Sequence, residues 1–250
     1  MHSNEYFSTR RTIRQYDQNR PVDPTLLTGM LKAAAQAPNT GNMQIYSAIV
    51  TTDPAIKREL APAHFNQPAA TGAAAIVTFC LDLNRFNRWC RLNNADPGLD
   101  NLQGFTWGVI DTSIFAQQFC TIAELHGLGT CYLGTTTYNA ETIAKVLELP
   151  MGVIPVITLA VGYPAVPGEM SERLPVEATV HAERYHTPTD DEIREYYAEK
   201  ESLPASKSFV EENGKENLAQ VFTDIRYPRE ANEKFSHVYR AFLKNQGVEI

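Results

Sequence analysis

Along residues 22–42, "VDPTLLTGMLKAAAQAPNTGN", apolar side chains recur at Leu26, Leu27, Met30, Leu31 and Ala34, the single stripe of a helix that rests on a core. Asp23 stands before Pro24 as an N-cap, Pro38 ends the segment, and a polar loop from Asn39 to Asn42 follows. "YSAIVTT" (46–52) reads as a strand, Asp53-Pro54 opens a second helix, and "GAAAIVTFCLDL" (72–83) is an unbroken apolar run of the kind a strand buried on both faces shows. "WGVIDTSIFAQQFCTIAELH" (107–126) is helical in length but apolar nearly all round, which predicts a helix enclosed by protein, with Gly127 as its C-terminal stop. A strand running into a hydroxyl-rich turn, "GTCYLGTTT" (129–137), a helix capped by Asn139, and a core strand, "VIPVITLAVGYP" (153–164), complete this part.

After Pro164 the pattern weakens. "TDDEIREYYAEKESL" (189–203) is helical and 231–245 is amphipathic, but 205–217 is rich in Ser, Lys, Glu and Asn. The expected organisation is a core over 1–164 with an appendage over 165–250 packed on it, one domain overall. Charge narrows the function: 22 basic against 29 acidic side chains, net −7, provide no general attraction for nucleic acid or an anionic membrane. No apolar run is long enough to span a bilayer, and "MHSNEYFSTRR" lacks a signal peptide's apolar stretch. Four cysteines at 80, 90, 120 and 131, with no close pair, read as reduced buried thiols, so a cytoplasmic place is expected and no metal site is suggested.

Against this acidic background "FSTRRTIRQY" (7–16) places Arg10, Arg11 and Arg14 beside Thr9 and Thr12. Such a cluster suits a phosphate, because guanidinium groups donate paired, charge-assisted hydrogen bonds and a hydroxyl adds another. A solvated run paired with nearby acids is the alternative. Two further loops of small or polar residues, Asn39–Asn42 and Gly134–Thr137, adjoin predicted core elements, and Arg173 follows a predicted core strand. GxSxG, HExxH, GxxxxGKS and GxGxxG are absent. His64, His126 and His181 have no spaced partners and read as surface or satisfied histidines, while Trp107 and Tyr132 read as core. A chain without its own acid–base cluster commonly relies on a cofactor.

Taken together, "TRRTIRQY", "APNTGNMQ", "NQPAATGAAAIVTFCLDL", "YLGTTT" and "GYP" followed by "SERLP" resemble, in order and spacing, the nitroreductase family, in particular its larger NADPH-dependent nitroreductase and flavin reductase group. The resemblance implies an α+β sandwich, a mainly antiparallel sheet flanked by helices, in an intertwined homodimer with a C-terminal helical excursion and FMN at the subunit boundary. It implies that Arg10, Arg11, Thr12, Arg14 and Arg173 serve the flavin phosphate or pyrimidine edge. Asn39, Thr40, Gly41 and Asn42 would contact the ribityl chain and ring, Gln67 the pyrimidine side, and Leu133, Gly134 and Thr135 would lie along the flavin. No catalytic acid or base is implied, since flavin N5 carries the reaction. The implied activity is ping-pong hydride transfer from NADPH or NADH to small aromatic acceptors such as nitroaromatics, quinones or flavins. A non-turnover FMN binder and a specialised flavoenzyme with one substrate are the alternatives. Ser171 and Ser236 depart from the group, standing where its NADPH-specific members carry a lysine and an arginine. Lys207, Lys215 or Lys234 would have to take over any contact with the 2′-phosphate.

Overall fold

A computed structural model describes residues 3–250, with side chains from Glu5 onward. Among the described residues there is one sheet of four strands, β1 (Tyr46–Thr51), β2 (Ala75–Asp82), β3 (Gly129–Tyr132) and β4 (Val153–Gly162), in the order β1-β2-β4-β3 and antiparallel throughout. The expected α+β sandwich is therefore present. Pro155 in the central strand β4 cannot donate to the ladder, and the register slips beside it, between Phe79 and Cys80 of β2.

The period-two alternation of β2 divides the core. Ala75, Val77 and Phe79 join Leu159 and Val161 of β4 under α2 (Pro24–Ala34) and α6 (Leu102–Leu125), where Met30, Phe115 and Phe119 fill the layer. Ile76 and Ala160 face the other way, into a cluster with Leu60 of α3 (Pro54–Leu60), Ala69 and Ala70 of α4 (Pro68–Gly72), and Ile143 of α7 (Ala140–Val146). All eight residues of β2 are buried, as its unbroken apolar run predicts. A third cluster holds Ile45, Leu81 and Ile154 against Phe242, Leu243 and Val248 near the C-terminus.

Local chemistry accounts for most element starts. The Asp23 side chain accepts from Thr25 N at 2.7 Å, and Asp53 Oδ1 accepts from Ala55 N and Ile56 N. Helix α6 begins five residues before the expected Trp107, because Asn101 Oδ1 accepts from Gly104 N at 3.1 Å and sets the start there. Asn139, expected to cap α7, makes no cap; its Nδ2 instead donates to Ala63 O at 2.8 Å, across to another segment. Two short helices flank the expected elements, α1 (Ser3–Thr9) and α5 (Leu83–Leu92).

The chain forms two compact units, residues 1–169 with 236–250, and residues 170–235. The second contains α8 (Asp190–Ser202), opened by a Thr189/Glu192 capping box, and α9 (Pro204–Glu212), which occupies the polar passage where periodicity gave no helix. It continues into α10 (Leu218–Gln220) and a π-helical turn, Val221–Arg226, with the Arg226 guanidinium 4.3 Å from the Phe209 ring centroid. Helix α11 (Arg229–Asn245) starts there, and its turns from Ser236 belong to the first unit.

Gly129, the first residue of β3, carries Ile13 directly on its backbone, so that a Cβ built at 129 would lie 2.5 Å from Ile13 Cβ. The Gly129→Ala variant is expected to lose about 1–3 kcal/mol of unfolding free energy, the usual cost of overpacking. Urea denaturation checks this, and an unchanged midpoint would show that Ile13 has room to retreat.

Candidate functional site

The arginine segment is held on the sheet by its own backbone. Ile13 N donates to Thr130 O at 3.0 Å, Asp17 N to Tyr163 O at 2.8 Å, and the Tyr16 hydroxyl lies 2.8 Å from Ile13 O and 3.1 Å from Ala160 O. Ile13 and Tyr16 are buried, three residues apart, while Arg11 and Arg14 are exposed, so the backbone bonds that seat Ile13 and Tyr16 on the sheet leave the two arginines outward.

The three arginines differ in what they hold. Arg10 forks onto Glu124, with Nη2 2.8 Å from Oε1 and Nε 3.1 Å from Oε2. The same carboxylate accepts from the Tyr6 hydroxyl at 2.7 Å and the Thr130 hydroxyl at 2.6 Å. Burial opposes ionisation of Glu124, but hydrogen bonds from Arg10, Thr130 and Tyr6 outweigh it and keep the carboxyl below its ordinary range. The hydrogen bond to Glu124 in turn holds the Arg10 guanidinium protonated. Arg11 reaches the carbonyl of Gly168 at 3.3 Å. Arg14 makes no hydrogen bond or ion pair among the described residues and remains an exposed free cation.

Two other expected loops meet this segment. Leu133 donates to Thr158 O at 2.9 Å and is buried with Ile13, Ala63, Ala69 and Ala70 in one apolar cluster. Gly134 is exposed, and a Cβ built there would meet nothing within 4 Å, so the backbone lies open to an approaching ligand. Thr135 is buried, with its hydroxyl 2.9 Å from His64 Nδ1. Gln67 precedes α4 by one residue, and its side-chain amide has no partner among the described residues. Thr12 lies half-buried between Arg11 and Ile13.

The Asn39–Asn42 loop stands elsewhere. Gly41, Asn42 and Gln44 all have left-handed backbone, which folds the loop into a tight turn before β1. Asn39 Oδ1 accepts from Gln44 N, and Thr40 donates from both N and Oγ1 to the buried Asp111 of α6, at 3.0 and 2.9 Å. Arg10 is anchored on Glu124 of the same helix, thirteen residues further on, or about 20 Å at 1.5 Å per residue. The two loops also flank opposite edge strands, β1 and β3. One chain thus brings Arg14, Gln67 and Gly134 to one corner and leaves its own Thr40 loop at another. Arg173 lies in the second unit, where its Nη1 donates to the carbonyls of Ser171 and Glu172.

Three side chains essential to this arrangement escape a reading of periodicity: Asp111, Glu124 and His64. Asp111 is a charge in the middle of a mostly apolar helix, a signal that could have been noticed; Glu124, near its end, has no local mark. His64 is wholly buried and only half satisfied, since Nε2 has no partner, and desolvation pushes it down to about 4. Tyr132, expected in the core, is 41% exposed, with its hydroxyl on Gln117 Oε1 at 3.1 Å, because it faces outward from the edge strand β3. Among the described residues there is no cluster of metal-ligating side chains and no helix long and apolar enough to cross a membrane.

The chain is 32% identical over 195 residues to an oxygen-insensitive NADPH nitroreductase of Salmonella typhimurium, covering 78% of this chain and 79% of that one. It is 33% identical over 191 residues to an NADPH-dependent FMN reductase of Bacillus subtilis, covering 74% and 77%. A crystal structure from Bacteroides fragilis, of a protein assigned only in general terms as an oxidoreductase, superposes with a TM-score of 0.96 at 47% identity over 98% of this chain and 100% of that one. The model of the nitroreductase family matches residues 7–163, from the arginine segment through the last strand, and the chain belongs to that family.

Proposed function

We propose that the chain is an FMN-dependent NAD(P)H oxidoreductase that works as a cytoplasmic homodimer and reduces small electron-poor aromatic acceptors such as nitroaromatics, quinones or flavins. The observation that carries this reading is that Ile13, Ala69 and Leu133, which adjoin Arg14, the Gln67 turn and Gly134, share one apolar cluster, while the Arg14 guanidinium and the Gln67 amide have no partner among the described residues and the Gly134 backbone is open.

This donor set fits FMN. Arg14 supplies an available cation for the phosphate or the pyrimidine edge, with Arg11 and Thr12 beside it, and Arg173 is assigned to the phosphate by the resemblance alone. The Gln67 amide both donates and accepts, as the alternating groups of a pyrimidine edge require. At Leu133, Gly134 and Thr135 the backbone can lie flat along a ring system, because nothing projects from residue 134. Arg10 takes a different part from its neighbours, neutralising Glu124 and so keeping the segment in place. The chemistry that FMN supplies when bound is acceptance of a hydride from reduced nicotinamide and its delivery to an acceptor, in alternating half-reactions. The protein's own residues orient the two substrates in turn, hold positive potential near the pyrimidine edge and present a backbone N–H at residue 134.

The Asn39–Asn42 loop belongs to the site through a second copy. Since it stands about 20 Å along α6 from the Arg10 anchor, the loop of one subunit is assigned to the corner of the other. An exposed groove on α6 beside Ile114, Gln117 and Thr121, with Ile110 also exposed, provides apolar area for such a contact. The four cysteines are all free and buried, which suits a reducing compartment.

Purified protein is expected to be yellow, with one FMN per chain and a dimer as its smallest folded unit; a folded FMN-bound monomer in sedimentation would refute the shared site. Arg14→Ala should weaken FMN binding by about 1.5–3 kcal/mol, roughly ten- to a hundredfold, with little change in apo-protein stability. Arg10→Ala should do the reverse, lowering unfolding free energy by about 1–3 kcal/mol as Glu124 loses its counter-charge. Titration of FMN into both variants, with denaturation curves alongside, separates the roles.

Donor preference follows from Ser171 and Ser236. Lys215 is already paired with Asp224 at 2.9 Å, leaving Lys207 and Lys234 as exposed cations for a 2′-phosphate. Loss of a charge-assisted arginine contact costs about 1.5–3 kcal/mol, so NADPH should be preferred over NADH by less than about a hundredfold in kcat/KM. Any preference should shrink with salt, because exposed pairs are screened. Steady-state kinetics with both donors at two ionic strengths tests this, and a large preference that ignores salt would point to a buried cation reading the phosphate.

A further inference from the structure

His64 lies at the end of a short 3-10 turn, Ala61–His64, among apolar neighbours that include Leu60, Ala63 and Leu133. It is wholly buried, its Nδ1 is 2.9 Å from Thr135 Oγ1, and its Nε2 has no partner. A buried ring nitrogen without a partner is unfavourable, and an apolar side chain of similar size would serve packing better. Stability therefore gives no reason for a histidine here. The hydrogen bond to Thr135 gives one.

We propose that the His64–Thr135 hydrogen bond is a positioning element that fixes the spacing between the Gln67 turn and the Gly134 turn, and so shapes the flavin site from beneath without touching the ligand. This inference rests on the FMN reading above. His64 and Gln67 are rigidly joined: Gln67 N donates to His64 O at 3.1 Å, and the two residues between them, Phe65 and Asn66, both have left-handed backbone. Thr135 adjoins Gly134 directly. A second tie runs the same way, since Asn139 Nδ2 donates to Ala63 O at 2.8 Å in place of capping its own helix. Two hydrogen bonds between two turns define a distance and an orientation, where apolar contact alone would leave the turns free to slide.

The orphaned Nε2 also assigns the tautomer. With no acceptor near Nε2, the ring proton belongs on Nδ1, where it is donated to Thr135 Oγ1; the bond left unmade is then an acceptor's, and the donor is satisfied. Burial, which disfavours the imidazolium, keeps the ring in this neutral form.

The test uses the FMN-loaded dimer and three variants. Thr135→Val removes the hydroxyl with little change of shape, Thr135→Ser retains it, and His64→Leu removes the ring donor. Thr135→Val and His64→Leu are expected to weaken FMN binding by about fivefold or more and to alter the visible circular dichroism of bound flavin; thermal unfolding of the apo-protein should be unchanged or raised in His64→Leu and lowered in Thr135→Val, which leaves the buried ring N–H unpaired. Thr135→Ser should stay within about twofold of wild type. The double variant should be no worse than the weaker single one, because both substitutions remove the same bond. Wild-type affinity and an unaltered flavin spectrum in Thr135→Val overturn the inference, and so does strict additivity in the double variant. If His64→Leu does not fold, the Thr135→Val and Thr135→Ser pair decides by itself. A wild-type protein that takes up no FMN overturns the FMN reading and this inference together, a result distinct from wild-type-like variants.

Discussion

The carboxylate of Glu124 holds together the part of the molecule on which the rest of the site depends. It sits at the end of α6 and gathers the Arg10 guanidinium, the Tyr6 hydroxyl and the Thr130 hydroxyl, which come from the N-terminal segment and from β3. A buried charge requires such company, because each unmet lone pair would carry a desolvation cost. Meeting that requirement fixes the N-terminal segment along the edge of the sheet. With Ile13 seated on Gly129 and paired with Thr130, and Tyr16 buried beyond it, Arg11 and Arg14 stand exposed. One cation of the cluster is used for structure, Arg11 reaches the Gly168 carbonyl, and Arg14 keeps no partner among the described residues.

The same helix carries a second buried carboxylate, Asp111, which performs the equivalent task for the Thr40 loop. Both anchors lie on α6, a 24-residue helix whose inner face packs on the sheet, and rigid elements make precise supports for sites built on loops. The separation of the two anchors along one helix is also what divides the site between subunits in the proposed dimer. His64 adds a third buried polar tie, between the Gln67 and Gly134 turns. The arginine segment, the Thr40 loop and the Gln67 and Gly134 turns are thus each tied to a buried charged or polar group inside the protein.

The division of labour among Arg10, Arg11 and Arg14 bears on how a basic cluster is read. By composition the three are equivalent, and a phosphate or a set of surface ion pairs would account for them equally. Their roles separate only through partners distant in the chain: Glu124 for Arg10, the Gly168 carbonyl for Arg11, and none among the described residues for Arg14. Asn139 makes the same point for a polar side chain, since its position beside a helix start suggests a cap and its actual bond runs to Ala63.

What the sequence determined by itself was local and periodic. The strands β1, β2 and β4 and the helices opened by Asp23 and Asp53 follow from patterns of two and of 3.6 residues and from capping groups within a few positions, whereas the enclosure expected of α6 is not met within one chain, where Ile110 and Ile114 stand exposed. The order of five short motifs likewise sufficed to identify the family that the match over 7–163 bears out. Tertiary structure alone decided which charges are spent inside the protein, that Tyr132 faces outward from an edge strand, that His64 is buried, and that the Thr40 loop stands apart from Arg14. These depend on contacts between residues far apart in the chain, for which periodicity holds no information, because a hydrogen bond or ion pair is set by where the packed backbone brings two groups and not by their spacing in sequence.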